Sequence, residues 1–415
     1  MTSSSDSVPR RYIVPDSTRT PLSAFQIDWL PPWAFEYLTP RVSRDGTSVE
    51  IEAGPYVGAI PLANGEVLWI VPRAGQASFA RMIVVSEGLG QTVRRDIEEE
   101  AVMGFEHGPS SLAGVLARPF LRRLRRIEKL SPSPGRELIR QRRGSARGAI
   151  EPVSTTIAVQ RRERLPVVSI TWEKTYQTPE NRVLGAAATQ LLHVGEVPDD
   201  FRATAGRWAD MVKGKRLRNT ELRHVVAALS RGAYSGYRSY YAPALAMARM
   251  ILSHASIDFV AAHMLASQAM ITNVPQLFER YVRRLLSDEL APDGVVVEKI
   301  DGGIKARRLF ADGTGELLPD VLVSKRGRSL LVADAKYKPG RAPDATDYYQ
   351  MAVYLKAYKC SKGMLVSPAQ AGAAESWATR RRFLDGRELI EVRIALSEPD
   401  SAEEFLKTTI RAEVL

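Results

Sequence analysis

The sequence predicts a mixed chain: an α+β N-terminal domain built on β-hairpins, a helical middle section and a C-terminal α/β core. Three observations carry that prediction. From about Ser48 the apolar residues alternate in SVEIEA, YVGAIPL and EVLWIVP, which is the period-2 pattern of half-buried strands. From Pro179 to Ala261 the apolar spacing is mostly helical, in ENRVLGAAATQLLHV, ELRHVVAALS and YAPALAMARMILSHASIDFVAAHML. From about Met270 a helix, a hairpin, a second helix and a strand follow one another. The expected division is therefore residues 1–165, 166–268 and 269–415.

Taken in order, residues 1–20 are polar and rich in Ser and Thr, and are expected to attach loosely to the rest. Asn64-Gly65, between two alternating runs, predicts a type I′ hairpin turn. Helices are expected over Ala77–Leu89 and Ser110–Lys129; in the second, Leu112, Val115, Leu116, Phe120 and Leu124 form an apolar stripe, and Pro119 is expected to kink it or mark its start. Ser131–Gly135 is a turn cluster, after which RELIRQRR predicts a basic helix running into Gly144. Strands are predicted at Ile150–Val159, Leu165–Trp172 and Leu389–Leu396, and a short closing helix at Ala402–Ile410.

Composition narrows the class. A chain of 415 residues, 45% hydrophobic and 25% charged, has the balance of a globular protein of two or three domains. No apolar run approaches the ~18 residues of a transmembrane helix, and MTSSSDSVPRRY lacks a signal-peptide core, so no membrane association and a cytoplasmic location are expected. One cysteine, Cys360, excludes an internal disulfide framework and cysteine-based zinc sites, and the histidines show no zinc-type spacing. The net charge of +11 points to a polyanionic partner. Between Arg118 and Arg164 fourteen Lys or Arg stand against four Glu, so this stretch alone carries +10. It is expected to be a solvated helix face, a phosphate-contacting surface or a docking surface for an acidic protein.

The chemistry concentrates in Glu316–Gln350. Leu317–Ser324 and Ser329–Tyr337 read as two strands joined by a tight turn in which Gly327 supplies positive φ. Asp320 interrupts an apolar run, and Leu-Leu-Val-Ala is followed at once by Asp334-Ala335-Lys336. Side chains alternate faces along a strand, so Asp334 and Lys336 share one face. Such a triplet alone reads more readily as a structural ion pair at a strand end. Asp320 on the neighbouring strand adds a second carboxylate, and oxygen ligands of this kind suit Mg²⁺, with Mn²⁺ as a substitute. Upstream, Asn273-Val-Pro-Gln276 predicts an N-cap, a first-turn proline and a helix over Leu277–Leu286, with Glu279 at the edge of its apolar face, about 20° from Leu286 at ~100° per residue. Downstream, a helix from Asp347 to about Lys359 and a strand at Gly363–Ser367 complete the set.

Pro319-Asp320, thirteen intervening residues and Asp334-Ala335-Lys336 resemble the PD-(D/E)xK nuclease motif, with Asp334 where many such enzymes carry Glu. The resemblance implies a restriction-endonuclease-like core, an acidic residue on its first helix (Glu279) and a site-facing Gln at Gln350. More specifically, FERYV, LLPDVLV, VADAKYK and DYYQMAVY together resemble the McrC family, the nuclease subunit of the McrBC 5-methylcytosine restriction system. RGAIEPVST (Arg147–Thr155) and TPENRVLGAAATQLL (Thr178–Leu192) extend the likeness over most of residues 55–370.

That resemblance implies Mg²⁺ ligation by Asp320, Asp334 and Glu279, with Lys336 orienting or helping to deprotonate the attacking water and Gln350 holding Lys336. It implies double-stranded, methylated DNA as substrate, and as partner a McrB-like AAA+ GTPase hexamer onto which the N-terminal domain docks. No GxxxxGK[ST] loop occurs in the chain, so GTP hydrolysis would belong to that partner. A stand-alone Mg²⁺-dependent nuclease and a non-catalytic GTPase-activating adaptor are the competing expectations.

Overall fold

The structure is a computed structural model that describes residues 11–43, 48–88, 93–97, 112–193, 197–212, 217–231, 233–254, 271–302 and 305–415. The N-terminal decapeptide, the first two residues of the expected helix from Ser110, and the end of the helical section beyond residue 254 lie outside these. The chain is mixed α/β with several sheets, and it forms two compact units: Met1–Pro119 with His254–Leu415, and Phe120–Ser253. These are not the three consecutive segments expected from sequence. Local periodicity finds elements but carries no information on which distant elements pair.

The first unit opens with β1 (Arg11–Pro15), β2 (Arg19–Leu22), β3 (Leu38–Val42), β4 (Val49–Ala53), β5 (Tyr56–Pro61) and β6 (Val67–Val71). In β4, Val49, Ile51 and Ala53 are buried while Glu50 and Glu52 reach outward, so the alternation in the sequence is the alternation in space. β2 and β3 flank β4, whereas β1 runs parallel to β6 and β6 antiparallel to β5. Their inner faces share a core that includes Ile51, Ile60, Leu68 and Ile70.

The β5–β6 connection corrects one expectation. Gly65 has φ +85°, but among the described residues Asn64 is not at positive φ, and Gly65 N donates to Leu62 O at 3.0 Å. With Leu62 N donating to Glu66 O, this is a three-residue loop closed by a glycine bulge, not a two-residue type I′ turn. Helix α1 (Gln76–Ser86) follows, and α2 (Leu112–Leu130) continues without interruption through Pro119, the boundary between the units.

In the second unit β7 (Gly135–Arg143) replaces the predicted basic helix. It pairs antiparallel with β9 (Val167–Thr175) over its whole length, and β8 (Ala149–Ile150) lies on the other side of β9. Leu and Arg favour helix, but a full ladder of strand hydrogen bonds outweighs a weak intrinsic preference. The predicted strand at Ile150–Val159 is instead α3 (Pro152–Gln160), in which Pro152 occupies the first turn, the position proline tolerates best. Helices α4 (Pro179–His193), α5 (Arg202–Met211), α6 (Asn219–Ser230) and α7 (Ala242–His254) complete the unit. Gly185 lets α4 and α5 approach closely, since a Cβ there would lie 2.7 Å from Trp208 O.

The first unit resumes with β10 (Thr272–Asn273), which pairs with β5 and so adds a fourth strand to the N-terminal sheet. Then come α8 (Val274–Leu290), β11 (Val296–Glu298), the short pair β12 (Arg307–Arg308) and β13 (Glu316–Leu317), β14 (Val321–Lys325), β15 (Arg328–Ala335), α9 (Ala345–Ala357), β16 (Lys362–Pro368), β17 (Trp377–Arg382), β18 (Glu388–Ile394) and α10 (Pro399–Val414). The six-stranded sheet has the order β11-β14-β15-β16-β18-β17. β15, β16 and β18 are parallel and the outer pairs antiparallel. Sequence reading missed β17, because WATRRR is exposed along its length and shows no apolar alternation, and it missed β1, β2 and β3; of the residues expected to attach loosely, Arg11–Pro15 and Arg19–Thr20 are instead held in sheets by β6 and β4.

Candidate functional site

The site grows from the β14–β15 hairpin. Arg326 and Gly327, at φ +50° and +78°, make the two-residue turn, and a bulge between Val323 and Ser324 then shifts the register by one residue. That register places Val321 opposite Ala333, and therefore Asp320 beside Asp334 at the end of the pair. Asp320 Oδ2 accepts a hydrogen bond from Ala335 N at 2.9 Å, which pins the first carboxylate to the strand that carries the second.

Asp334 is buried within β15. Its contact of opposite charge is Lys336 Nζ at 2.6 Å. Lys336 continues the parallel pairing, donating its backbone N–H to Val366 O at 2.8 Å, and its ammonium also donates to Gln350 Oε1 at 2.9 Å. Gln350 projects from α9, whose Met351, Tyr354 and Leu355 pack on Leu322, Val332 and Leu365 of the sheet. The packing of α9 is thus what brings an amide to the lysine.

Glu279 stands further off, on α8. Its carboxylate faces Lys299 Nζ at 3.7 Å, and it touches the site through its field. Burial, then the Asp334 charge, then the Glu279 charge push the Asp320 carboxyl up to about 8, against the opposing pull of the Ala335 amide and Lys336. Among the described residues no three His, Cys, Asp or Glu side chains are arranged to hold a metal ion. The donor set that does converge is two carboxylates, one pinned to the neighbouring strand and one ion-paired to Lys336, and two such oxygen donors suit a hard cation that keeps most of its own waters.

Two contributors were not predicted. Tyr354 accepts from Gln350 Nε2 at 2.8 Å and donates to Leu318 O at 3.2 Å, so it fixes which way the Gln350 amide points. The signal was available, because Gln350 and Tyr354 are four apart on one helix face. Asp347 accepts from Lys338 Nζ at 2.8 Å and lies 4.0 Å from Lys336 Nζ. It forms a reciprocal capping box with Asp344, which explains its place at the start of α9. Cys360 is buried, and burial pushes its thiol up to about 11, as befits an inert core residue.

A mixed sheet carrying a paired-carboxylate and lysine site at one hairpin defines the class, and comparison with known proteins supplies the family. The family model described as McrBC 5-methylcytosine restriction system component matches residues 51–368. The chain belongs to that family. Its fold is similar to a chain in the refined half-complex from the tetradecameric assembly of Thermococcus gammatolerans McrB AAA+ hexamers with bound McrC. That match has a TM-score of 0.63 at 14% identity and covers 97% of this chain and 100% of the other. A second match, to the T. gammatolerans McrBC complex solved by cryo-EM, has a TM-score of 0.43 at 15% identity and covers 68% of this chain and 88% of the other. A comparison with curated proteins finds no match.

Proposed function

We propose that the chain is the endonuclease subunit of a modification-dependent, McrBC-type restriction system, with a PD-(D/E)xK-like core that cuts double-stranded, methylated DNA. The observation that carries this reading is the convergence of Asp320, Asp334 and Lys336 at one hairpin end. Asp320 and Asp334 would hold Mg²⁺ or Mn²⁺, with Glu279 acting through its field or through water. When bound, the cation lowers the pKa of a water and offsets charge developing on the phosphate. Lys336, steadied by Gln350, orients the attacking water and stabilises the developing oxyanion. Water adds to phosphorus and one bridging P–O bond breaks, so the chain itself carries no covalent intermediate.

The partner would be a McrB-like AAA+ GTPase hexamer, the assembly in which the fold's structural relative was solved. Docking on it is assigned to the basic 118–164 stretch. There and on the adjoining strand Leu138, Ile150, Val153 and Trp172 are all more than half exposed, with Leu138 and Trp172 facing each other across β7 and β9. Exposed apolar groups rimmed by charge mark protein contacts more than nucleic-acid contacts. No helix among the described residues is long and apolar enough to cross a membrane, which is compatible with action on DNA in the cytoplasm.

The test is cleavage of methylated plasmid by the chain with its partner GTPase, GTP and Mg²⁺. Wild type should cut, and Asp334→Ala, though folded and bound to the partner, should not. An Asp334→Ala protein that cuts at the wild-type rate sinks the assignment.

A further inference from the structure

A cavity of about 230 Å³ is lined by Arg280, Arg283, Arg284, Ser287, Glu298 and Lys299. The α8 residues among these fall at i, i+3, i+4 and i+7, one continuous stripe, while Leu277, Phe278, Tyr281 and Leu285 face the core. The cavity borders the proposed cleavage site on two sides. Arg283 donates to the backbone carbonyl of Asp320 at 3.4 Å, and Lys299 lies 3.7 Å from Glu279.

Four cations against one acid make this wall strongly positive, and Glu298 is already ion-paired with Lys305. Arg284 is paired with Asp288 at 2.9 Å. Among the described residues Arg280 and Arg283 have no carboxylate partner, and Arg280 Nε is buried and donates to nothing. A buried donor without an acceptor carries a desolvation penalty that an arriving acceptor removes. Gly88, at φ +62°, adds a close approach: a Cβ there would meet Arg284 Cζ at 3.1 Å, so the bare backbone after α1 lies against that guanidinium. Planar guanidinium forks and a lysine around one small cavity match the non-bridging oxygens of a phosphate better than any neutral ligand.

We infer that this cavity is a phosphate subsite, which takes a backbone phosphodiester of the cut strand next to the one attacked at Asp320 and Asp334. The inference rests on the nuclease reading and adds to it a register for the DNA: α8 lies along the strand being cut, and the bound phosphate fixes how the scissile bond meets the carboxylates. The shared chemistry would also suit a free nucleotide, which the test separates.

The experiment measures binding of a short methylated duplex to the full-length chain in Ca²⁺ by fluorescence anisotropy, over a range of salt. Neutral methylphosphonates are placed singly along each strand. Wild type should lose affinity at one or two positions flanking the cut, and in the Arg280→Gln/Arg284→Gln variant those same substitutions should cost nothing further. The variant's salt dependence should be shallower by about one to two in slope, from ~0.9 per phosphate contact. Arg284→Gln alone, at a half-exposed position, should show part of the effect with unchanged thermal stability if the double variant folds poorly. Equal methylphosphonate costs in wild type and variants overturn the subsite while leaving the nuclease reading intact. Failure of the unchanged chain to bind any duplex even with its partner GTPase present overturns both, and displacement of DNA by GTP or inorganic phosphate at micromolar concentration assigns the cavity to a free anion instead.

Discussion

Arg81 and Glu403, 322 residues apart in the chain, meet as a buried bidentate pair, with Nε to Oε1 at 2.6 Å and a second guanidinium nitrogen to Oε2 at 2.8 Å. Asp400 adds a third contact at 2.6 Å, and Tyr281 reaches Glu403 Oε1 at 3.4 Å. Burial pushes the Glu403 carboxyl up despite its arginine. Removing Arg81 leaves the buried Glu403 carboxylate to a longer contact with Arg94 at 3.6 Å, which costs up to about 3–5 kcal/mol. Arg81→Ala should therefore lower the unfolding free energy by that order in urea denaturation, and Arg81→Ala/Glu403→Leu should recover much of the loss. A single variant as stable as wild type would show that α1 is not anchored to α10 by this pair.

Asp320→Ala, Asp334→Ala and Lys336→Ala should each reduce cleavage by several orders of magnitude, because the three groups act as one unit and their losses do not add. Single-turnover plasmid cleavage measures this, with circular dichroism confirming the fold. Glu279→Ala should lose less, since its carboxylate stands apart beside Lys299.

The Asp320 carboxyl, at about 8 in the folded chain against an ordinary 3.8, binds its proton more tightly folded than unfolded. The stability it contributes is therefore complete below pH 3.8 and lost as pH rises through 8. In EDTA the Tm of wild type should fall across that window more than the Tm of Asp320→Asn, and at pH 8 the variant should be the more stable of the two. Millimolar Mg²⁺ should narrow the difference by favouring the charged carboxylate. Parallel pH curves for the two proteins would contradict the crowding of like charges.

Tyr354→Phe removes the hydroxyl that orients Gln350 and leaves Leu318 O without its donor. The expected losses are about tenfold in cleavage rate and ~1 kcal/mol in stability. Gln350→Ala in the Tyr354→Phe background should add little to the catalytic loss, because both changes free the same lysine. Full additivity in the double-mutant cycle would separate the two residues.

Trp172→Ala and Leu138→Ala on the exposed ribbon should lower stimulation of a partner GTPase by tenfold or more, as central aromatic contacts do. Binding of free duplex should not change. If instead DNA affinity and its salt slope fall while GTPase stimulation persists, the basic stretch contacts phosphate.

The hairpin was readable from sequence because its determinants are local: a glycine where φ is positive, and two carboxylates and a lysine at fixed positions along two short strands. The N-cap at Asn273, whose side chain accepts from Gln276 N at 3.0 Å, was readable for the same reason. RELIRQRR was misread because a charged strand lacks the apolar alternation that marks half-buried strands, and only its partner β9 makes it one. The Ile150–Val159 stretch misled in the opposite sense, since its β-branched residues overrode the signal of Pro152. Glu279 fell on the expected helix, but its distance from the carboxylates depends on how α8 packs, which no pattern along α8 encodes.

The pairing of β10 with β5 and of Arg81 with Glu403 orders events on the ribosome. Residues 120–253 are contiguous and can close their own contacts as soon as they emerge, whereas the N-terminal sheet is made early and waits for its last strand and for α10. At about 5–20 residues per second, the 322 residues between Arg81 and Glu403 take on the order of half a minute to synthesise. Throughout that interval α1 presents an arginine without the Glu403 and Asp400 carboxylates that neutralise it. A chain that stops short of residue 399 lacks both carboxylates that pair with Arg81, so a truncated form keeps that charge unneutralised in its folded interior, a mark that quality-control proteases can act on.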